Sequence, residues 1–375
     1  VRKTCMGNGL YTGKMNLTDN KYSDFASHLL AWYDGRSCNF PWRDCKDPYK
    51  IYLSEVMLQQ TQASTVLPYY KKWIQKYPTI QSVANDTQEQ ILKQWEGLGY
   101  YGRARNFHKS CKIIVNDFGG MITNRSDEFS KLPGVGPYIS AAVMSIAFQH
   151  PLPAVDANAI RVGARMEMLD LPYPKNLNII YDYFKSHISI ERPGDFNQAI
   201  MDLGREICTA VSPKCRVCPL SKFCKALVNK SVDKYPIKVK SSKKPHYNVA
   251  VGVIWNNGKI LISKRRENGL LGGLWEFPGG KIEKGESARE CIIREVKEEL
   301  GVLVQPTSFL KQIKHAYTHF SITMDAYHCD YLQGSPEAIG CDNWKWIAPQ
   351  EISLLPFPKA NHKLFDKIII EESVC

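Results

Sequence analysis

The period of the hydrophobic pattern changes once along the chain, and that change requires at least two folding units of different class. Over residues 22–225 apolar side chains recur at three- and four-residue spacing, as in Phe25, Leu29, Leu30 and Tyr33 or Ile91, Leu92 and Trp95, which is the stripe of packed helices. Turn signals divide the segments at Asp34-Gly35, Pro78, Gly97-Leu98-Gly99, Gly119-Gly120 and Pro133-Gly134. Past residue 246 the text becomes β-branched, with runs at 249–255 and 259–263, a helix near 288–300 and strand-like residues at 321–331. The expected architecture is therefore multi-domain. An extension (1–21) precedes an all-α domain (22–225), a basic linker (226–246) and an α/β or α+β domain (247–375). The linker carries Lys230, Lys234, Lys238, Lys240, Lys243 and Lys244 against the single acid Asp233, and is expected to be exposed.

Lysine and arginine outnumber aspartate and glutamate by 49 to 37, a net charge of +12 that suits a polyanionic partner. No apolar run approaches the roughly 18 residues of a membrane helix, and Val1 to Lys14 lacks the apolar core of an export signal. The expected setting is a reducing intracellular compartment: cytoplasm or nucleoid in a bacterium, nucleus or mitochondrion in a eukaryote. Twelve cysteines in a chain of this size then read as thiols or metal ligands, not as a disulfide scaffold. Cys5, Cys38, Cys45, Cys111, Cys291, Cys329, Cys341 and Cys375 are scattered and read as small buried hydrophobes. Cys208, Cys215, Cys218 and Cys224 form C-x6-C-x2-C-x5-C and can enclose one metal centre; the spacing leaves zinc and a [4Fe–4S] cluster both open.

Three segments of the helical region carry chemistry. Leu132-Pro133-Gly134-Val135-Gly136 joins two helix-like stretches by a tight glycine hairpin, whose following helix start can receive a phosphate oxygen without reading a base. Asp156 follows about twenty residues on, between an apolar Ala154-Val155 pair and a new helix, a position that an ordinary N-cap also occupies. In the third, Tyr49 to Gln62, Glu55 is the lone acid of an apolar, amide-rich helix. Together with Gly97-Leu98-Gly99-Tyr100-Tyr101-Gly102-Arg103-Ala104-Arg105-Asn106, these segments resemble the MutY adenine DNA glycosylases, members of the helix-hairpin-helix glycosylases typified by endonuclease III. The similarity runs from about Phe25 to Cys224 in consistent order.

That resemblance implies a double-stranded DNA partner with adenine opposite 8-oxoguanine or guanine, and an enzyme expected to be a monomer. It assigns the four clustered cysteines to a structural, DNA-orienting [4Fe–4S] cluster. It makes Glu55 the acid that protonates the departing adenine and Asp156 the carboxylate that stabilises the cationic sugar, with Tyr138 and Asn158 in support. Such a pair suffices for a flipped-out nucleotide, and a low-dielectric setting would keep Glu55 protonated. Leu132, Gly134, Val135 and Gly136 would hold the backbone, while Gln60 and Tyr100 would wedge into the stack and hold the lesion strand. Bifunctional relatives carry a Schiff-base lysine where this chain has Tyr138, so base release without strand cleavage is expected.

The second domain has its own signature. Gly280, Glu286, Arg294, Glu295, Glu298, Glu299 and Gly301 fit every fixed position of the Nudix box G-x5-E-x7-R-E-U-x-E-E-x-G-U, where U is aliphatic. Glu295, Glu298 and Glu299 are candidates to hold Mg²⁺ against a pyrophosphate. Trp275-Glu276-Phe277-Pro278-Gly279-Gly280 resembles the run before the box in MutT, and MutY proteins carry a MutT-like domain that recognises 8-oxoguanine. By the same resemblance, Thr318 and His319 in His315-Ala316-Tyr317-Thr318-His319 are expected to read the lesion. The retained box keeps open a rival activity, hydrolysis of oxidised nucleoside triphosphates.

Overall fold

The computed structural model describes residues 17–36, 40–239 and 244–372, with side chains over 24–36, 40–239 and 244–369. Cys5, Cys38 and Cys375, and the expected N-terminal extension as far as residue 16, lie outside the described residues. Contacts divide the chain into two compact units. One comprises the described parts of Val1–Ile51, Asn124–Ser130 and Val135–Val239, and the other those of Tyr52–Thr123, Lys131–Gly134 and Lys240–Cys375. No helix among the described residues is long and apolar enough to cross a membrane.

The first unit is helical. Its principal helices are Leu17–Asp34, Pro137–Phe148, Ala157–Glu167, Leu177–Lys185 and Pro193–Glu206. Phe25, Leu29, Val162, Ile180, Phe184, Phe196, Ile200 and Leu203 form the core. Pro193–Glu206 runs against Pro137–Phe148 through Gly194, where an added Cβ would lie 2.8 Å from Ile146 Cα; only a glycine admits that approach. Three residues on, the buried Asn197 donates to Ser145 Oγ and to Leu152 O, both at 2.8 Å, and accepts from Ala154 N at 3.0 Å. This satisfied amide fixes the non-helical segment that delivers Asp156 to its helix start.

The stretch expected to be an exposed linker is packed as far as Ile237. Ala226 and Tyr235 are buried in the helical core, and Leu227, Val232 and Ile237 lie against it. Lysines dominate the composition there, but Ala226, Leu227 and Val232, on short helical turns at Lys225–Val228 and Val232–Lys234, face the core. Local burial therefore overrides the charge pattern.

The second unit combines helices with a sheet. Ala63–Lys76, Gln88–Trp95 and Gly102–Asp117 pack around Trp73, Trp95 and Phe107, with Trp73 edge-on to Trp95 at 5.6 Å. The strands are β1 His246–Asn256, β2 Lys259–Lys264, β3 Trp275–Glu276, β4 Gly279–Lys281, β5 Leu303–Ala316, β6 Ser321–Gln333 and β7 Asn343–Ile347. Their order is β3-β2-β1-β6-β5, with β4 on β1 and β7 on β2; β1 and β6 are parallel and the other pairs antiparallel. The helix Ala288–Leu300 covers one face through Ile292, Val296 and Leu300, as expected from its apolar spacing. The helix His362–Glu372 covers the other through Leu364, Phe365 and Ile368. Sheet burial on both faces is the α/β arrangement foreseen from the β-branched runs.

Helices and sheet in this unit are fastened by side chains from Gln88–Trp95 and its neighbours. Trp275 Nε1 donates to Glu89 Oε2 at 2.7 Å, and Arg105 Nη1 donates to Gly272 O at 2.5 Å. Glu96 Oε1 accepts from Phe357 N at 2.8 Å and from His362 Nε2 at 2.9 Å. Burial alone would raise the Glu96 pKa, but hydrogen bonds from His362, Lys93 and Phe357 together hold it below the usual carboxylate range.

Candidate active site and nucleic-acid interface

In the first unit, Asp156 is both the N-cap of Ala157–Glu167 and a half-buried carboxylate. Its Oδ1 accepts from Ala159 N and its Oδ2 from Asn158 Nδ2, each at 2.7 Å. Burial raises its pKa against the opposing pull of those hydrogen bonds and of Arg161. A capping role alone needs no such desolvation. Asn158 Oδ1 in turn accepts from Arg161 Nη2 at 2.8 Å, and the same nitrogen reaches Gly204 O at 2.7 Å. Arg161 Nε donates to Cys208 O at 2.7 Å, so an unbroken set of hydrogen bonds joins Asp156 to the first clustered cysteine. The set depends on Gly204, where a Cβ would come within 2.5 Å of Asn158 Cβ. Tyr138, on Pro137–Phe148, points its hydroxyl at Met201 Sδ, 3.9 Å away.

The four clustered cysteines lie on successive tight turns, and their electrostatic influence is mutual. Burial, with added repulsion from Cys208, Cys224 and Cys215, pushes Cys218 up to about 12. Arg165, itself buried, donates to Cys208 Sγ at 3.2 Å and to Thr209 O at 2.8 Å. Among the described residues no three His, Cys, Asp or Glu side chains are arranged to hold a single metal ion. Four thiols close enough to influence one another, with the Arg165 guanidinium beside Cys208, are a donor set that suits a soft, thiolate-held metal group.

The hairpin is divided between the units: Leu132 and Gly134 belong to the second, Val135 and Gly136 to the first. Leu132 and Val135 are buried, while Gly134 and Gly136 are exposed. Gly134 has φ +77°, and a Cβ there would lie 2.8 Å from Asn106 Cβ. Gly136 is the N-cap of Pro137–Phe148 and, having no side chain, adds no capping hydrogen bond to that helix start.

In the second unit Glu55 sits on Pro48–Leu58 and is 2% exposed. Gln60 and Tyr100 share an unusual backbone, left-handed at φ +56° and +49° respectively, a strained state for residues with side chains. Gln60 is exposed and Tyr100 half-buried. Thr318 and His319 are exposed on the loop between β5 and β6, and the His319 ring stands edge-on to Tyr100 at 6.3 Å.

In the Nudix box, Glu295, Glu298 and Glu299 lie on the one helix Ala288–Leu300 but differ in exposure and partners. Glu298 is 61% exposed and pairs with Arg294 at 3.3 Å. Glu299 is instead pushed up to about 8 by burial and then by the carboxylates of Glu276 and Glu295. Arg294 also binds Glu286 and Glu295, and Arg265 pairs with Glu276. As placed, these carboxylates are met by arginines and do not form a three-ligand ion site. Sequence reasoning missed Glu276, although it stands in the quoted Trp275-Glu276-Phe277 run: its apolar neighbours were the signal that it is half-buried. It also missed Arg103, Arg161 and Arg165, whose partners lie far away in the sequence.

Residues 53–178 match the HhH-GPD superfamily base excision DNA repair protein model, and residues 250–367 match the NUDIX domain model. The solved structure of a thermostable thymine-DNA glycosylase is similar at 31% identity and a TM-score of 0.52, over 57% of this chain and all of that one. The adenine DNA glycosylase of Homo sapiens is 30% identical over 91% of this chain and 73% of its own length. That of Buchnera aphidicola subsp. Schizaphis graminum is 36% identical, covering 80% and 85%. Similarity that spans both the helical and the sheet regions at this identity places the chain in the adenine DNA glycosylase family.

Proposed function

We propose that this protein acts as a monomer on double-stranded DNA and hydrolyses the N-glycosidic bond of adenine paired with 8-oxoguanine or guanine. It leaves an abasic site. The observation that carries the reading is Asp156: a carboxylate made costly by burial, yet held in place by Asn158 and the Ala159 N–H. A negative charge kept in low dielectric at that cost is suited to a sugar that turns cationic as its base departs.

Glu55, almost wholly buried in its helix, is the proton donor to the departing adenine and then orients the attacking water. Asn158 keeps Asp156 oriented, and Tyr138 supports the carboxylates. Leu132, Gly134, Val135 and Gly136 hold the DNA backbone through main-chain N–H groups. Gln60 and Tyr100 enter the stack, while Thr318 and His319 meet the edge of 8-oxoguanine with a hydroxyl and an imidazole.

Tyr138 supplies no amine, so no imine forms and β-elimination lacks its nucleophile. A duplex with one such mispair is expected to release free adenine and keep its strand intact until alkali is added. Borohydride should trap no protein–DNA adduct; a trapped adduct, or cleavage without alkali, would overturn this reading.

Cys208, Cys215, Cys218 and Cys224 would hold a [4Fe–4S] cluster, which supplies a rigid, charged anchor for the loop they share. Arg161 and Arg165 tie that loop to the helix of Asp156. The purified protein is expected to show a broad visible band that disappears on Cys215→Ser. A colourless protein containing zinc would refute the assignment.

A further inference from the structure

Arg103 has no part in the chemistry proposed above, yet both terminal nitrogens of its guanidinium are used repeatedly. Nη1 donates to the carbonyls of Val56 at 2.9 Å, Met57 at 2.8 Å and Gln59 at 2.6 Å. Nη2 donates to Thr61 Oγ1 and to Gly99 O, each at 3.2 Å. The guanidinium also lies over the rings of Trp95 and Tyr100, 5.3 and 5.4 Å from their centres. Burial lowers its pKa to about 10, which leaves it charged at neutral pH.

Two groups of acceptors meet on this one side chain. The Val56 and Met57 carbonyls belong to the last turn of Pro48–Leu58, where helix carbonyls have no internal partner. Gln59 and Thr61 flank Gln60, at φ +56°; Gly99, itself at φ +77°, precedes Tyr100, at φ +49°. Strained turns of this kind persist only where the surroundings over-determine them. A planar fork of donors can bridge two such turns, whereas a lysine ammonium is a single point with three donors.

We propose that Arg103 is a positioning residue that locks the turns of Gln60 and Tyr100 to each other and to the end of the helix bearing Glu55, so that the edge that opens the duplex is set before DNA arrives. This rests on the reading of Gln60 and Tyr100 as the residues that enter the stack.

The test uses the full chain and a duplex with 2-aminopurine beside an adenine opposite 8-oxoguanine, where fluorescence rises when the stack opens. Arg103→Lys is expected to bind a duplex carrying an uncleavable 2′-fluoro adenosine almost as tightly as the parent. The fluorescence rise should shrink several-fold, and single-turnover adenine release should slow by about 100-fold, the effect of a small misplacement of reacting groups. Unchanged fluorescence and rate would overturn the proposal, as would losses that merely follow the folded fraction measured by circular dichroism. Should Arg103→Lys fail to fold, Thr61→Val removes one acceptor; a smaller fluorescence rise supports the proposal and an unchanged one refutes it. Gln60→Ala and Tyr100→Ala separate the two levels. If both leave the fluorescence rise intact, the stack-opening role itself fails; if they blunt it and Arg103→Lys does not, only the role of Arg103 fails.

Discussion

Glu55→Gln is expected to slow adenine release by at least ~1,000-fold, toward the upper end of what a positioned general acid supplies. The amide matches the carboxyl in size, so a site only 2% exposed needs no repacking. What it lacks is a transferable proton, without which adenine must depart as an anion. Circular dichroism should give the parent melting temperature, and duplex affinity should stay within a few-fold, placing the loss in the chemical step. Glu298→Gln, at an exposed position paired with Arg294, should leave release nearly intact. A reversed pattern, with Glu298 essential and Glu55 dispensable, would favour the rival activity on oxidised nucleoside triphosphates. Incubating 8-oxo-dGTP with Mg²⁺ and looking for pyrophosphate tests that rival directly.

Asp156→Asn is expected to cost ~100- to 1,000-fold in single-turnover rate, the range for removing one pre-organised electrostatic group. Its effect on stability should have the opposite sign. The Asp156 pKa is raised in the folded protein from 3.8, because burial outweighs the hydrogen bonds from Ala159 and Asn158 and the charge of Arg161. A carboxyl raised in this way contributes full stability below its unfolded pKa and loses that contribution as pH rises through the folded value. Once ionised, the side chain is therefore a burden that asparagine removes, while asparagine remains a competent helix cap. The variant should melt at or above the parent temperature at pH 7.5, and the difference should shrink on acidification. An inactive variant that also melts well below the parent at pH 7.5 would reduce Asp156 to an ordinary cap. In the parent enzyme, the rate should fall on the acid side as Asp156 takes up its proton, at a pH above the ordinary aspartate range.

Much of this was legible in the residues because the signals were local. The helices around Glu55 and Asp156, the glycine turn between residues 132 and 136, and the strands after residue 246 all follow from spacing within a dozen positions. The packed stretch up to Ile237 was obscured by its lysines, since composition counts charges and not which side of a turn they occupy. Arg161 and Arg165 find partners 43 to 70 residues away, at Gly204, Cys208, Thr209 and Tyr235, and no spacing rule joins positions so distant. Glu298 and Glu299 are neighbours in a motif that treats them alike. The fold exposes one and half-buries the other near Glu276, because the helix Ala288–Leu300 turns about 100° between consecutive residues.

The fastening of Gln88–Trp95 to the sheet makes the C-terminal third of the chain more than an appended reader. Were the polypeptide cut short after Cys224, Glu89 would lose the indole of Trp275, and Glu96 would lose the imidazole of His362 and the amide of Phe357. Leu92, now shielded and touching the chain near Gly273, would meet water. Such a remnant would carry a sticky scar on which Glu89, Glu96 and Arg105 all lack the partners that now satisfy them.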